Sequence, residues 1–89
     1  MQTIRIIITG KVQGVFFRAN AKEMATKYEI KGWIKNTNDG KVEAMVYGQE
    51  NKVKDFLEWC KTGPEKAEVD NVIVHELPEI KFNNFEVIR

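Results

Sequence analysis

The stretch TGKVQGVFFR, from Thr9 to Arg18, interrupts an apolar run with two glycines and then enters a predicted helix. Before it, Ile4 to Ile8 is rich in β-branched residues, which predicts a strand. After it, Ala19 to Tyr28 has the apolar spacing of an amphipathic helix. The first N–H groups of a helix lack intrahelical partners and carry partial positive charge. The stretch therefore predicts a site for an oxyanion.

The residue types of this loop suit the binding of a phosphate group. Gly10 and Gly14 can adopt backbone angles closed to other residues and let the main chain approach a ligand. Arg18 would add a charged fork that binds two oxygens at once. The backbone N–H groups that we expect to bind phosphate belong to Lys11, Val12, Gln13, Gly14, Val15, Phe16 and Phe17. A loop with two glycines is also compatible with a plain turn, so both interpretations stay open at this point.

The rest of the chain alternates between the periodicity of strands and that of helices. The further predicted elements are a strand over Ile30–Thr37, a strand over Val42–Tyr47, a helix over about Asn51–Lys61, a strand over Val69–Glu76 and a short strand over Phe85–Ile88. The Asp39-Gly40 pair predicts a hairpin between the second and third strands. Gly63-Pro64 predicts the end of the second helix.

This order predicts an α+β, ferredoxin-like βαββαβ sandwich with an extra C-terminal strand. Its two helices would cover one face of a mixed, mostly antiparallel sheet. Strands one and two would lie parallel, joined by a right-handed crossover, with strand three between them. Since the carboxyl ends of parallel strands share one edge, we expect Asn36 to meet the glycine loop and Arg18 there, with Thr37 in support.

Composition limits the classes of function. A chain of 89 residues, 43% of them hydrophobic, suits a single domain over residues 1–89. A net charge of +1 disfavours a nucleic-acid partner. No segment has the length and flanks of a signal peptide or membrane span, and the one cysteine cannot form an internal disulfide. We therefore expect a cytoplasmic protein without a membrane partner. Nothing in the sequence demands an oligomer, so we expect a monomer.

The inventory of reactive side chains excludes several catalytic designs. The chain has no serine, one histidine and one cysteine, so serine triads and histidine-rich metal sites cannot be assembled, and neither a metal nor a cofactor is expected. Asn36 can donate and accept hydrogen bonds but does not titrate, so it could orient a water molecule without being a strong base. Taken alone, Asn36 beside Thr37-Asn38-Asp39 is more typical of a turn residue than of a catalytic one.

Two segments, residues 10–18 (GKVQGVFFR) and 32–37 (GWIKNT), resemble the two signatures of acylphosphatases. The resemblance implies a small metal-independent hydrolase that cleaves acyl phosphates into a carboxylate and inorganic phosphate. In that family, the arginine matching Arg18 and the loop amides bind the phosphoryl group, and the asparagine matching Asn36 orients the attacking water. Inorganic phosphate is then expected to be both a product and a competitive inhibitor.

Two other functions share parts of this pattern. Acylphosphatase-like domains that serve ligand binding or carbamoyl transfer usually lie within larger chains, and an 89-residue chain favours the simple hydrolase. RNA-recognition modules have the same order of strands and helices. Their aromatic signature is absent from Val42 to Tyr47, and the chain lacks an excess of basic residues.

Overall fold

The computed structural model describes residues 1–89 and contains five strands and two helices. Their bounds are β1 Gln2–Lys11, α1 Phe17–Lys27, β2 Lys31–Asn36, β3 Val42–Gly48, α2 Glu50–Thr62, β4 Glu68–Leu77 and β5 Phe85–Ile88. The expected α+β, ferredoxin-like arrangement with an extra C-terminal strand is confirmed. Neither helix has the length and apolar character needed to span a membrane.

The sheet places the ends of β1 and β2 at one edge, as the predicted topology requires. Its strand order is β4-β1-β3-β2-β5. β3 is antiparallel to both β1 and β2, so these two strands run parallel to each other on either side of it. β5 pairs with β2 in parallel, with Ile88 opposite Lys35. The chain therefore ends at the same edge as Asn36, which the sequence did not indicate.

One face of the sheet is buried beneath the two helices. Along β1 the side chains of Ile4, Ile6 and Ile8 are buried, and those of Arg5 and Ile7 are only half-buried on the opposite face. Each helix packs one apolar face on the sheet, and the buried helical residues are Phe17, Ala21, Ala25, Val53, Phe56 and Cys60. Each large apolar side chain buried in this layer stabilises the fold by about 1.5–3 kcal/mol relative to an exposed one.

The glycine-containing loop is shorter than the sequence indicated, because β1 continues through Gly10 and Lys11. After a register shift between Thr9 and Gly10, these two residues pair with Val69 and Glu68 of β4. Gly10 has a φ of 125°, and a Cβ atom there would overlap the carbonyl oxygen of Glu68. Gly10 thus permits two backbones to approach each other, and the irregular loop spans only residues 12–16.

This packing predicts that Gly10→Ala destabilises the protein by about 2–4 kcal/mol, because the new methyl group forces β1 and β4 apart in addition to straining the backbone. Gly40→Ala is the matched control, since Gly40 also has a positive φ, of 87°, but a Cβ atom there meets nothing within 4 Å. The control should lose only about 1–2 kcal/mol. Urea denaturation of both variants measures the difference, and equal losses would contradict crowding against β4.

Candidate active site

A cavity of about 1000 Å³ lies where the loop, the start of α1, the end of β2 and the last residues of the chain meet. Arg18 and Asn36 both line it, so the structure brings together the two side chains that the topology was expected to join. The lining residues are Val12, Gly14, Phe16, Phe17, Arg18, Ala19, Lys22, Glu23, Thr26, Asn36, Val87 and Arg89.

The loop is anchored by apolar side chains and leaves its polar main chain available. Val12 and Val15 are buried in the core, whereas Gly14 is exposed. Gly14 and Phe16 have φ values of 73° and 63°. None of the backbone N–H groups of residues 13–16 donates a hydrogen bond to another protein atom. Successive free N–H groups with alternating backbone handedness are the usual construction of an anion-binding concavity.

Arg18 lies in the first turn of α1, and its side chain contacts the C-terminal strand β5. Its Nη1 donates a hydrogen bond to the carbonyl oxygen of Ile88 at 3.0 Å. A guanidinium carries five N–H donors, so this bond orients the group and leaves other donors for an anion. The first turn of α1 contains no acidic residue that could neutralise it.

Asn36 is the last residue of β2, directly before a tightly bonded turn. The backbone N–H of Thr37 donates to the carbonyl of Lys41 at 2.8 Å, and the backbone N–H of Lys41 donates to the Thr37 hydroxyl at 3.0 Å. The Thr37 hydroxyl also bonds the Asp39 carboxylate, and this bond, with help from Lys41, lowers the pKa of Asp39. Thr37 therefore stabilises the turn that follows Asn36.

The side chain of Gln13 joins the loop to this turn. Its Nε2 donates hydrogen bonds to the carbonyl oxygens of Thr37 and Lys41, each at 2.8 Å. Both N–H groups of the amide are used, so the loop and the β2–β3 turn are held at a set distance. The sequence indicated only the backbone N–H of Gln13, and no local pattern pointed to a partner for its side chain.

Several cavity residues lie along one face of α1. Lys22 and Thr26 follow Arg18 at spacings of four residues along α1, so the three share one side of the helix. The same spacing was available in the sequence and could have extended the site beyond Arg18.

The one histidine and the one cysteine lie away from the cavity. His75 is exposed on β4, and Cys60 is buried in the core, where burial raises the pKa of its thiol. No three His, Cys, Asp or Glu side chains lie close enough together to hold a metal ion. The cavity thus offers the loop backbone and the side chains of Arg18 and Asn36, and its lining also includes Lys22, Glu23, Thr26 and Arg89.

Gln13→Met keeps the length of the side chain and removes both of its hydrogen-bond donors. We expect this variant to lose both global stability and local order in the β2–β3 turn. Two hydrogen bonds are lost, so the free energy of unfolding should fall by about 1–2 kcal/mol. Hydrogen exchange at the Thr37 amide should quicken, while exchange in α2 follows only the global change. Unchanged protection at Thr37 would contradict a bridge that holds the turn.

Comparison with known proteins places this architecture in one family. Residues 4–87 match the family model described as acylphosphatase. An acylphosphatase of Legionella pneumophila (strain Corby) is 41% identical over 85 residues, covering 96% of this chain and 93% of the relative. The crystal structure of acylphosphatase from Bacillus subtilis has a TM-score of 0.96 and 36% identity, with 100% of both chains covered.

A larger protein contains a similar unit. Full-length HypF, in its phosphate- and nucleotide-bound form, has a TM-score of 0.88 and 27% identity, covering 99% of this chain and 12% of that chain. The family model and the Legionella and Bacillus relatives cover nearly all of this chain. This protein therefore belongs to the acylphosphatase family and is an enzyme.

Proposed function

We propose that this protein is a metal-independent acylphosphatase, which hydrolyses the carboxyl–phosphate bond of small acyl phosphates to a carboxylate and inorganic phosphate. The observation that carries the proposal is one cavity lined by Arg18, Asn36 and a loop whose N–H groups at residues 13–16 have no protein acceptor. Its activity follows from family membership, and the roles of individual residues follow from their chemistry.

The loop and Arg18 bind the phosphoryl group. The free N–H groups supply donors for the phosphoryl oxygens, with those of residues 11, 12 and 17 at either end of the loop completing the expected set. Arg18 binds two oxygens at once with the N–H groups that its contact with Ile88 leaves free. These donors are aimed before the substrate arrives, so they stabilise the charge of the transition state without reorganisation.

Asn36 orients the attacking water. The water attacks phosphorus in line, the P–O bond to the acyl oxygen breaks, and the acyl group leaves as a carboxylate. The proton of the water passes to an oxygen of the transferring phosphate, so that no side-chain base is needed. An amide suits this role because it can donate to and accept from one water molecule while remaining neutral at every working pH.

The loop N–H groups, Arg18 and Asn36 are sufficient for hydrolysis, although none of them is a strong base, because the substrate is activated. A mixed anhydride of a carboxylic and a phosphoric acid has a good leaving group, so positioning and charge neutralisation are the main requirements. Inorganic phosphate, as the product, should occupy the loop and compete with the substrate. The single-domain, monomeric and cytoplasmic character of the protein stays a prediction from the sequence.

The second candidate is the carbamoyl-transfer or sensing module expected of acylphosphatase-like domains in larger chains, and HypF is a larger chain that contains a similar unit. The Legionella acylphosphatase is more similar in sequence, at 41% identity against 27% for HypF. An assay of the purified protein with acetyl phosphate and benzoyl phosphate separates the two functions. Hydrolysis of both substrates supports the proposal, whereas binding without turnover would favour a sensing module.

Arg18→Ala and Asn36→Ala should separate phosphate binding from turnover. Without the guanidinium, phosphate affinity should fall by about 10- to 100-fold and turnover should be lost, because charge-assisted hydrogen bonds contribute about 1.5–3 kcal/mol. Asn36→Ala should lower turnover by about 10²-fold or more while phosphate still binds, since its partner is the water. Calorimetric titration with inorganic phosphate measures the affinities.

Asn38→Ala is the matched control for the asparagine variant, because Asn38 is exposed in the same turn and does not line the cavity. It should retain both binding and turnover. An equal loss of phosphate affinity in Arg18→Ala and Asn36→Ala would contradict the division of roles between them.

Metal independence is tested by dialysis of the protein against excess EDTA before assay with benzoyl phosphate. The rate should be unchanged, because Arg18 and backbone N–H groups supply the positive charge that a divalent ion would otherwise provide. Addition of Mg²⁺ or Zn²⁺ to the dialysed protein should not raise the rate. Activity that disappears with EDTA and returns with the metal would overturn this part of the mechanism.

A further inference from the structure

Phe16 is the most exposed of the large apolar side chains, with 73% of its surface accessible, and it lines the cavity that holds Arg18 and Asn36. Most of this ring does not pack in the core, so its burial contributes little to the stability of the fold. We infer that the ring of Phe16 is the binding site for the acyl portion of the substrate and selects aromatic or other apolar acyl groups. The inference rests on the proposed acyl phosphate hydrolysis.

The backbone at Phe16 also gives no reason for an aromatic residue. Its φ of 63° lies in the left-handed region, where glycine or asparagine is held at lower cost. The conformation is maintained from outside: the backbone N–H and the side-chain Nδ2 of Asn20 both donate to the Phe16 carbonyl, at 3.0 and 2.9 Å. The structure thus holds a bulky ring in a strained position facing a cavity, which is a feature of ligand-binding sites.

The position of Phe16 in the loop suits contact with the acyl leaving group. Gln13, at one end, is bonded to the carbonyl of Thr37, the residue after Asn36. Phe16, at the other end, precedes α1. In-line transfer puts the attacking water and the leaving oxygen on opposite sides of phosphorus. With the water on the Asn36 side, the acyl group extends toward the Phe16 end.

The cavity has room and suitable chemistry beside Phe16. Its volume of about 1000 Å³ is far more than a phosphoryl group fills, and Ala19 and Val87 add apolar surface to the lining. The lining also includes Lys22, Glu23 and Arg89, so charged and apolar surfaces share the cavity. An aromatic acyl group can stack on the ring of Phe16 in an offset or edge-to-face arrangement.

The test compares kcat/KM for benzoyl phosphate and acetyl phosphate in the wild type, Phe16→Gly and Phe16→Tyr. Any effect of the substitution on the shared phosphoryl step cancels in the benzoyl-to-acetyl ratio. Phe16→Gly should lower that ratio by about 3- to 10-fold, the range of an aromatic pair contact. Phe16→Tyr keeps the ring and should retain the wild-type ratio. Phe16→Asn, which tolerates the same backbone, should behave like Phe16→Gly.

Lys22→Gln is the control, because it removes a charged rather than an apolar side chain from the same cavity. It should leave the benzoyl-to-acetyl ratio unchanged, since the two substrates carry the same charge. An unchanged ratio in Phe16→Gly, with both substrates still hydrolysed, would overturn the acyl-site inference and leave the proposed function intact. An equal fall of the ratio in Lys22→Gln would also overturn it. Absence of hydrolysis of either substrate by the wild type would overturn the proposed function itself.

Discussion

The burial of one sheet face beneath α1 and α2 is the constraint on which the position of the site depends. In the pairing of β1, β3 and β2, Ala44 lies opposite Ile6 on one side and Ile34 on the other, and all three side chains are fully buried. Because side chains alternate along a strand, a slip of one residue would turn this entire apolar set toward solvent. The same register that builds the core therefore sets where β1 and β2 end relative to each other.

The start of α1 is determined by the core as well. The ring of Phe17 is buried, lies 5.2 Å from the ring of Trp59 between centroids, and occupies space that a side chain at position 63 would need. Gly63, after the end of α2, supplies that space. Since Phe17 points inward, its neighbour Arg18 is turned toward the cavity, where the last strand offers it the carbonyl of Ile88. Packing of an apolar residue thus orients the cation beside it.

Around the cavity the protein keeps polar groups that a core would not tolerate. The left-handed backbone of Phe16 costs stability, and it lies with the free N–H groups in a loop held by the buried side chains of Val12 and Val15. The hydrogen bonds of Gln13 and Asn20 hold this loop from its two ends. The proposed phosphoryl transfer requires donors that are already in place, because donors that must reorganise stabilise the transition state less.

The sequence by itself determined the element order, the apolar faces and, through the rule for parallel strands, the meeting of Arg18 with Asn36. These follow from local periodicity and from the few topologies that such an order permits. Tertiary structure alone decided the strand pairing of Gly10, the bridge from Gln13 and the approach of Ile88 to Arg18. Each depends on the distance between segments far apart in the chain, about which the polarity and spacing of neighbouring residues carry no information.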